Sequence, residues 1–270
     1  MLFHCPICQS PLHLNTDLKS LGCEKNHQFD RAKQGYFNLL PVQHKKSKQP
    51  GDSKEMIAAR HDFLNADYYQ PLALELTKLL RDLVPKGATC LDLGCGEGYY
   101  SRNIQKQMPN LSIFGMDISK PAIVKAAAQD KQGQYFVASS DKIPLLSACL
   151  DAIFKVYAPA NEQELARLVK PGGVLISVMP GPRHLMQIRE FIYQEVRPHD
   201  TQHTEFSNFT LVKSNSFNFS ICPSSAHRIA LLQMTPFAWK ASKEQQEQIA
   251  LADNLDIELD FVINCYRRLA

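Results

Sequence analysis

The sequence predicts an α/β chain, a parallel sheet flanked by helices and preceded by a small module held together by a metal. Three observations carry that expectation. Leu91-Asp-Leu-Gly-Cys-Gly-Glu-Gly98 lies between the strand-like Ala88-Thr-Cys-Leu91 and the helix-like Tyr99-Tyr-Ser-Arg-Asn-Ile104. Beyond it, short apolar runs alternate with helical stretches of about 10–15 residues, the rhythm of βαβ units. Four sulfur and imidazole ligands, Cys5, Cys8, Cys23 and His27, fall within the first 27 of 270 residues.

The ligands come as Cys5-Pro-Ile-Cys8 and Cys23-Glu-Lys-Asn-His27, two short-spaced pairs with 14 residues between them. That spacing lets two knuckles converge on one tetrahedral ion, and mixed nitrogen and sulfur ligation favours Zn2+ over iron or copper. One Zn2+ per chain is therefore expected. The chain shows no charged N-terminal run followed by an apolar one and no stretch of about 18 apolar residues, so a cytoplasmic location is expected. Its eight cysteines then read as metal ligands and core thiols rather than disulfides. Cys90, Cys95, Cys149, Cys222 and His13 read as core or surface residues. A segment this short buries too little apolar area alone, so the metal is expected to supply its folding energy.

The formal net charge of +3 is unevenly placed. Residues 1–48 hold seven Lys/Arg against three Asp/Glu, a net of +4, while the remaining 222 hold 23 against 24. Arg31, Lys33, Lys45, Lys46 and Lys48, with Tyr36 and Phe37 among them, read as a surface that neutralises phosphates and stacks on bases. RNA is the partner this predicts, with no DNA and no membrane. Tyr36 and Phe37 have a second reading, in which their rings pack the module onto its neighbour.

Residues 41–52 have the Pro, Gly and charge content of a connector. The expected division is a zinc-binding RNA-recognition domain over residues 1–40, a linker over 41–52 and a larger domain over 53–270. Asp52-Ser-Lys-Glu55 has the spacing of a capped helix start, with Met56, Ala59, Phe63 and Leu64 on one face, and Asp52 and Glu55 read as caps. A second helix is expected from Tyr69 to Leu83.

The glycine loop follows. Gly94, Gly96 and Gly98 permit positive φ and let backbone pass close to a ligand. Their spacing is not the G-x-G-x-x-G that seats a pyrophosphate on a helix N-terminus. With the acidic Asp92 beside it, the turn suits a cofactor without phosphate, S-adenosyl-L-methionine. Ser112-Ile-Phe-Gly-Met-Asp117 reads as the next strand, placing Asp117, 25 residues after Asp92, for the two ribose hydroxyls. Gln134–Ala138, Leu150–Val156 and Gly172–Val178 read as strands three to five, and Ser139, Ser140 and Asp141 leave strand three on the adenine side. Phe217–Ile221 and Leu255–Val262 read as strands closing an antiparallel edge, and Met234–Trp239 as a roof. The larger domain is thus expected to be a Rossmann-like class I S-adenosylmethionine-dependent methyltransferase fold.

At this point the residues resemble a family, the bacterial 23S ribosomal RNA (guanine-N1)-methyltransferases, with the related macrolide-resistance enzymes. The resemblance runs through Cys5-Pro-Ile-Cys8, Gly35-Tyr-Phe-Asn-Leu-Leu-Pro-Val-Gln-His-Lys-Lys46, Pro50-Gly-Asp-Ser53, Asp92-Leu-Gly-Cys-Gly-Glu-Gly-Tyr-Tyr100, Pro180-Gly-Pro-Arg-His-Leu185 and Leu231-Leu-Gln-Met-Thr-Pro-Phe-Ala-Trp239. It implies methylation of N1 of a guanine in a hairpin loop of 23S ribosomal RNA, with the zinc domain helping to bind that RNA, and a homodimer. It also implies cofactor contacts at Tyr69, Gly96, Glu97, Asp117 and His184. Tyr69 and His184 come from the resemblance alone, whereas Asp92, Gly94 and Gly98 come from the loop itself.

A sulfonium methyl is already electrophilic, so the protein must chiefly align an in-line attack and exclude water. Guanine N1 carries a proton that must leave, and the sequence does not identify the base. Tyr157, which could stack on an extruded base, and Asn161 or Glu162 are the candidates. Val156-Tyr-Ala-Pro-Ala-Asn161 lacks the tetrad that binds an exocyclic amine and has no cysteine to attack a pyrimidine carbon, which disfavours those two reactions. The competing expectation is a methyltransferase acting on another RNA or on a small molecule, its zinc purely structural.

Overall fold

The computed structural model describes residues 2–16, 18–44, 50–201 and 204–270. Lys45, Lys46 and Lys48 of the basic run lie outside the described residues. In the N-terminal module, β1 (His13–Leu14), β2 (Ser20–Gly22) and β3 (Gln28–Asp30) form an antiparallel sheet. Then come β4 (Phe37–Asn38), α1 (Lys54–Leu64), α2 (Gln70–Leu83), β5 (Thr89–Leu93), α3 (Tyr99–Gln107), β6 (Ser112–Asp117), α4 (Lys120–Gln129), β7 (Gln134–Val137), β8 (Leu150–Val156), α5 (Glu162–Leu168) and β9 (Val169–Pro180). The chain continues through α6 (Met186–Ile192), β10 (Phe209–Ile221), α7 (Ser225–Gln233), α8 (Lys243–Leu251) and β11 (Ile257–Arg268).

The main sheet has eight strands in the order β10-β11-β9-β8-β5-β6-β7-β4. β4 to β9 run parallel, and β11 and β10 close the far edge antiparallel, as the alternating Phe217–Ile221 segment predicts. From β5 the chain winds outward one way to β6 and β7, then returns to β8 on the other side. The carboxyl ends of β5 and β8 therefore form a switch point, where such folds bind ligands. β5 is covered on both faces and reads Thr-Cys-Leu-Asp-Leu, nearly all apolar, as a central parallel strand requires. Its one charge, Asp92, demands a reason.

α2 buries Leu72, Ala73, Leu76, Leu79 and Leu80, an apolar stripe at helical spacing, against one face of the sheet. Pro71 sits in its first turn, where a missing N–H costs nothing. α1 starts one residue later than the sequence suggests. Ser53, not Asp52, is its cap, accepting a 3.2 Å bond from the Met56 N–H. Asp52 instead pairs with Arg60 at 2.7 Å. Glu55 remains in the first turn, where a negative charge favours the helix.

The module is joined to the larger fold by its own backbone. β4 adds to the sheet edge alongside β7, with Phe37 beside Phe136 and Asn38 beside Val137. Phe3 bridges to Leu145 and inserts its ring among Phe37, Phe114 and Phe136, with centroids 5.1–6.4 Å away. One core cluster therefore runs from Cys5, Leu12 and Leu21 of the module into Leu91, Leu93 and Ile153 of the central strands.

Candidate functional site

The glycine loop leaves β5 and enters α3 as expected. Gly94, Gly96 and Gly98 have φ of 74°, 56° and 78°, the left-handed region that favours glycine. They do different work, however. A Cβ at Gly94 would lie 2.5 Å from the Ala158 Cβ, and one at Gly98 would lie 2.8 Å from the Tyr135 Oη, so both are crowded by the protein itself. At Gly96 the nearest atom is the Arg60 guanidinium at 3.8 Å, and it is here that the backbone opens a cradle. The Gly96 N–H donates to Asp117 Oδ2 at 2.9 Å and the Ser119 N–H to Oδ1 at 2.7 Å, aiming the carboxylate at the end of β6. Burial raises the Asp117 pKa. Asp92 lies beneath the loop, 1 % exposed, accepting 2.7 Å from Ser101 Oγ, and burial pushes its pKa up to about 7. Ser139, Ser140 and Asp141 follow β7 after Ala138, whose N–H ties the strand's end to β6 through the Asp117 carbonyl at 3.1 Å. An open cradle beside a carboxylate that meets two backbone donors, with no phosphate-type nest, fits the adenosine and ribose of S-adenosylmethionine.

Glu97 is also buried, at 1 % exposure, and its carboxylate is fully occupied. It meets Arg102 at 3.1 Å, His61 Nδ1 at 3.0 Å and Gln129 Nε2 at 2.7 Å. These partners come from α1, α3 and α4, so Glu97 locks three helices around the loop, and Arg102 holds its backbone carbonyl as well.

Opposite the loop is an aromatic wall. Tyr69 caps α2 and is 2 % exposed, edge-on to Phe63 and Phe261 at 5.4 and 5.6 Å. His184, 5 % exposed, lies 5.0 Å from Phe261. Its Nδ1 accepts the Asp260 backbone N–H at 3.2 Å, which assigns the proton to Nε2, 3.2 Å from Tyr157 Oη. Burial drives the His184 pKa down to about 3, so the ring is neutral. Tyr157, just past the carboxyl end of β8, is 43 % exposed with φ of 57°. Such a conformation is costly for an aromatic residue and collects at functional sites. The other two base candidates are occupied elsewhere. Asn161 Oδ1 caps α5 through the Gln163 and Glu164 N–H groups at 2.9 and 3.3 Å, and Glu162 accepts from Ser207 at 2.5 Å.

Two residues near the cradle escaped the sequence reading. Arg60 and His61 are neighbours on α1, and Arg60 bridges Asp52 and the Met234 carbonyl at 3.1 Å. The expected roof over Met234–Trp239 is thereby tied to α1, although Trp239 itself is 79 % exposed. A signal was present, because Arg60 shares a helical face with Phe63 and Leu64, three and four residues on. A cation on a buried stripe asks for a partner.

In the module, Cys5, Cys8, Cys23 and His27 present ligand atoms all within 4.8 Å of one another. Cys8 and Cys23 sulfurs are 3.7 Å apart, and His27 Nδ1 lies 3.6 Å from Cys5 and 3.5 Å from Cys23. A Zn–S length of about 2.3 Å puts tetrahedral S···S edges at about 3.8 Å, with slightly shorter S···N edges. The observed edges fit that ion. Gln9 and Asn26, at φ of 64° and 61°, close the two knuckles. Tyr36 and Phe37 are buried, 4 % and 5 % exposed, so the packing reading holds and neither ring is free to stack on a base. Their burial follows from β4 joining the sheet. Lys19, Lys25, Arg31 and Lys33 remain exposed on the module.

Comparison with known proteins adds a separate kind of observation. The family model "RlmA, N-terminal", a zinc ribbon, matches residues 3–48, and "Methyltransferase domain" matches residues 90–173. A Micromonospora griseorubida protein named for 23S rRNA (guanine-N1) methylation is 32% identical, over 68% of this chain and 67% of its own. A Bacillus subtilis protein, YxjB, named for the same activity, is 29% identical over 96% of this chain and 94% of its own. A chain from the Haloferax volcanii complex of the Trm112 methyltransferase activator with its methyltransferase superposes with a TM-score of 0.50 at 17% identity, covering 82% of this chain and 100% of that one. The structural likeness shows the fold alone, a class I methyltransferase sheet, here carrying an N-terminal zinc ribbon.

Proposed function

Because the chain belongs to the 23S rRNA (guanine-N1)-methyltransferase family, we propose that it methylates N1 of one guanine in a hairpin loop of 23S ribosomal RNA. The observation that carries this reading is the joining of two sites in one core. A tetrahedral Cys/Cys/Cys/His centre with exposed Lys19, Lys25, Arg31 and Lys33 is fused through β4 to a sheet whose switch point holds the Gly96 cradle and Asp117.

Bound S-adenosylmethionine supplies the electrophilic methyl group. The chain's own residues do the rest. Asp117 accepts the ribose hydroxyls while Gly96 and its crowded neighbours Gly94 and Gly98 hold the backbone against the cofactor. Asp92, Glu97, Tyr69 and His184 complete that site, Asp92 and Glu97 from beneath and beside the loop and the two rings from the facing wall. Tyr157 offers a half-exposed ring at the mouth for an extruded base, and its hydroxyl oxygen accepts a hydrogen bond from the His184 Nε2–H, which leaves its own O–H to point outward. Zinc holds the module in the shape that presents its basic face to phosphates.

The working division is the zinc-binding domain over residues 1–40, the linker over 41–52 and the methyltransferase domain over 53–270, in a cytoplasmic homodimer. Among the described residues no helix is long and apolar enough to cross a membrane. Light scattering of the purified chain tests the dimer. The reaction is tested through the atom it modifies. An N1 methyl occupies the pairing edge of guanine, so reverse transcriptase should stop at that base in ribosomal RNA from cells carrying the gene. Identical extension with and without the gene rules the reading out.

A further inference from the structure

The cofactor proposed above ends in an amino-acid carboxylate, and burying such a group without a cation or several donors costs heavily. Neither Asp92, Asp117 nor Glu97 can meet it, all three being acids. We propose that Arg60 is the residue that binds the methionine carboxylate of the cofactor, with the Tyr69 and Tyr100 hydroxyls beside it.

The geometry is specific. Arg60 reaches from α1 across the loop to within 3.8 Å of where a Gly96 Cβ would stand, the one glycine of the three that no protein atom crowds. Its charge acts on Asp117 at one end of the site and on Tyr69 and Tyr100 at the other, lowering all three pKa values against the larger upward effect of burial. Its partner Asp52 is tied through Ser119 to Asp117, and Phe63, three residues on along α1, packs edge-on to Tyr69 at 5.4 Å, so Arg60 lies between the ribose end and the aromatic wall, where an amino-acid tail attached to the ribose must pass. Two contacts hold it there, Asp52 Oδ2 on Nη1 at 2.7 Å and the Met234 carbonyl on Nη2 at 3.1 Å. A guanidinium has five N–H groups, so these contacts leave three for a carboxylate.

Arg60 is fixed by an unbroken local path. Gly51, at φ of 83°, packs against Ser119, where a Cβ would come within 2.9 Å of the Ser119 Cβ. Ser119 Oγ donates to the Asp52 carbonyl at 3.1 Å, and the Ser119 N–H donates to Asp117. The Pro50-Gly-Asp-Ser53 string therefore docks the start of α1 onto the ribose carboxylate's own turn and sets Asp52 to orient Arg60. That gives a physical role to a string whose spacing alone suggested only a cap.

The test compares two ligands that differ by the group in question. S-adenosylhomocysteine carries the amino-acid tail, whereas 5′-methylthioadenosine keeps adenine, ribose and thioether but lacks it. Calorimetric binding to the full-length zinc-loaded chain and to Arg60→Met should show S-adenosylhomocysteine weakened roughly 10- to 100-fold, the scale of a lost charge-assisted pair. Binding of 5′-methylthioadenosine should change less than about twofold on the same scale, which also shows that the pocket is intact. Arg60→Lys, which keeps charge without the fork, should fall between. Equal losses for both ligands, or no loss for either, overturn the assignment. Failure of the unaltered chain to bind either ligand overturns the methyltransferase reading on which it rests.

Discussion

The module and the sheet are held together by different forces, although they share a core. In the module the strands are two or three residues long, and apart from Leu12 and Leu21 the large apolar side chains it buries, Phe3, Tyr36, Phe37, Leu39 and Leu40, pack into clusters shared with the larger fold. In the sheet, β5 and β11 are almost wholly buried and clusters of leucine, isoleucine and phenylalanine line both faces. One region depends on four ligand atoms and the other on area removed from water. Each should therefore fail under a different insult, and Phe3 and β4 should determine how far the first failure spreads.

Metal removal is the largest perturbation. Structural zinc contributes on the order of 10–16 kcal/mol in small zinc folds, as much as a typical domain's whole stability margin. Chelation, or Cys5→Ser with Cys8→Ser, should unfold the module and abolish RNA methylation while S-adenosylhomocysteine binding survives. Because Phe3 is drawn from a core shared with Phe114 and Phe136, the melting temperature of the remaining sheet should also drop. Zinc-free protein that methylates RNA at the normal rate would break the comparison at its root.

Asp92 tests the sheet through the one charged residue of its central strand β5. Its folded pKa of about 7 stands above the reference value of 3.8, so between those values the folded chain keeps a proton that the unfolded chain has released. Stability contributed by the neutral acid is complete below pH ~4 and is lost as pH rises through ~7, a swing of about 4 kcal/mol. Asp92→Asn keeps an acceptor for Ser101 and cannot ionise. Melting temperatures of the cofactor-free protein between pH 5 and 8 should fall with pH in the parent and stay flatter in the variant. Parallel curves would mean that Asp92 stays charged when buried.

How much of this was legible depended on whether the signal was local. The metal ligands, the glycine loop, Asp117 and the antiparallel edge are each written in short strings, because a knuckle, a tight turn or a strand is built from neighbours. Tyr36 and Phe37 could be read two ways, since a ring looks the same in sequence whether a base or Phe3 covers it. Arg60 and His61 were missed because their partners, Met234 and Glu97, lie 174 and 36 residues away. The pairing of Tyr157 with His184 is likewise a tertiary fact, fixed by Asp260 on β11, a strand that is remote in sequence and two places from β8 in the sheet.

Asp117 and His61 separate loop from support within the sheet region. Asp117→Ala removes the ribose acceptor and strands the Gly96 and Ser119 N–H groups, which should cost about 2–3 kcal/mol, or roughly a hundredfold in S-adenosylhomocysteine affinity. Calorimetry reads it directly, and retained affinity would exclude Asp117 from the cofactor site.

His61→Ala should do far less. Glu97 loses a 3.0 Å partner but keeps Arg102 and Gln129, so its buried charge is still met. The expected loss is about 1 kcal/mol, near fivefold in cofactor affinity, with zinc content unchanged. A much larger loss would mean that His61 touches the cofactor itself. No loss would mean that Arg102 and Gln129 alone fix the loop, and that α1 is held over it by Arg60 and Asp52 rather than by the Glu97 network.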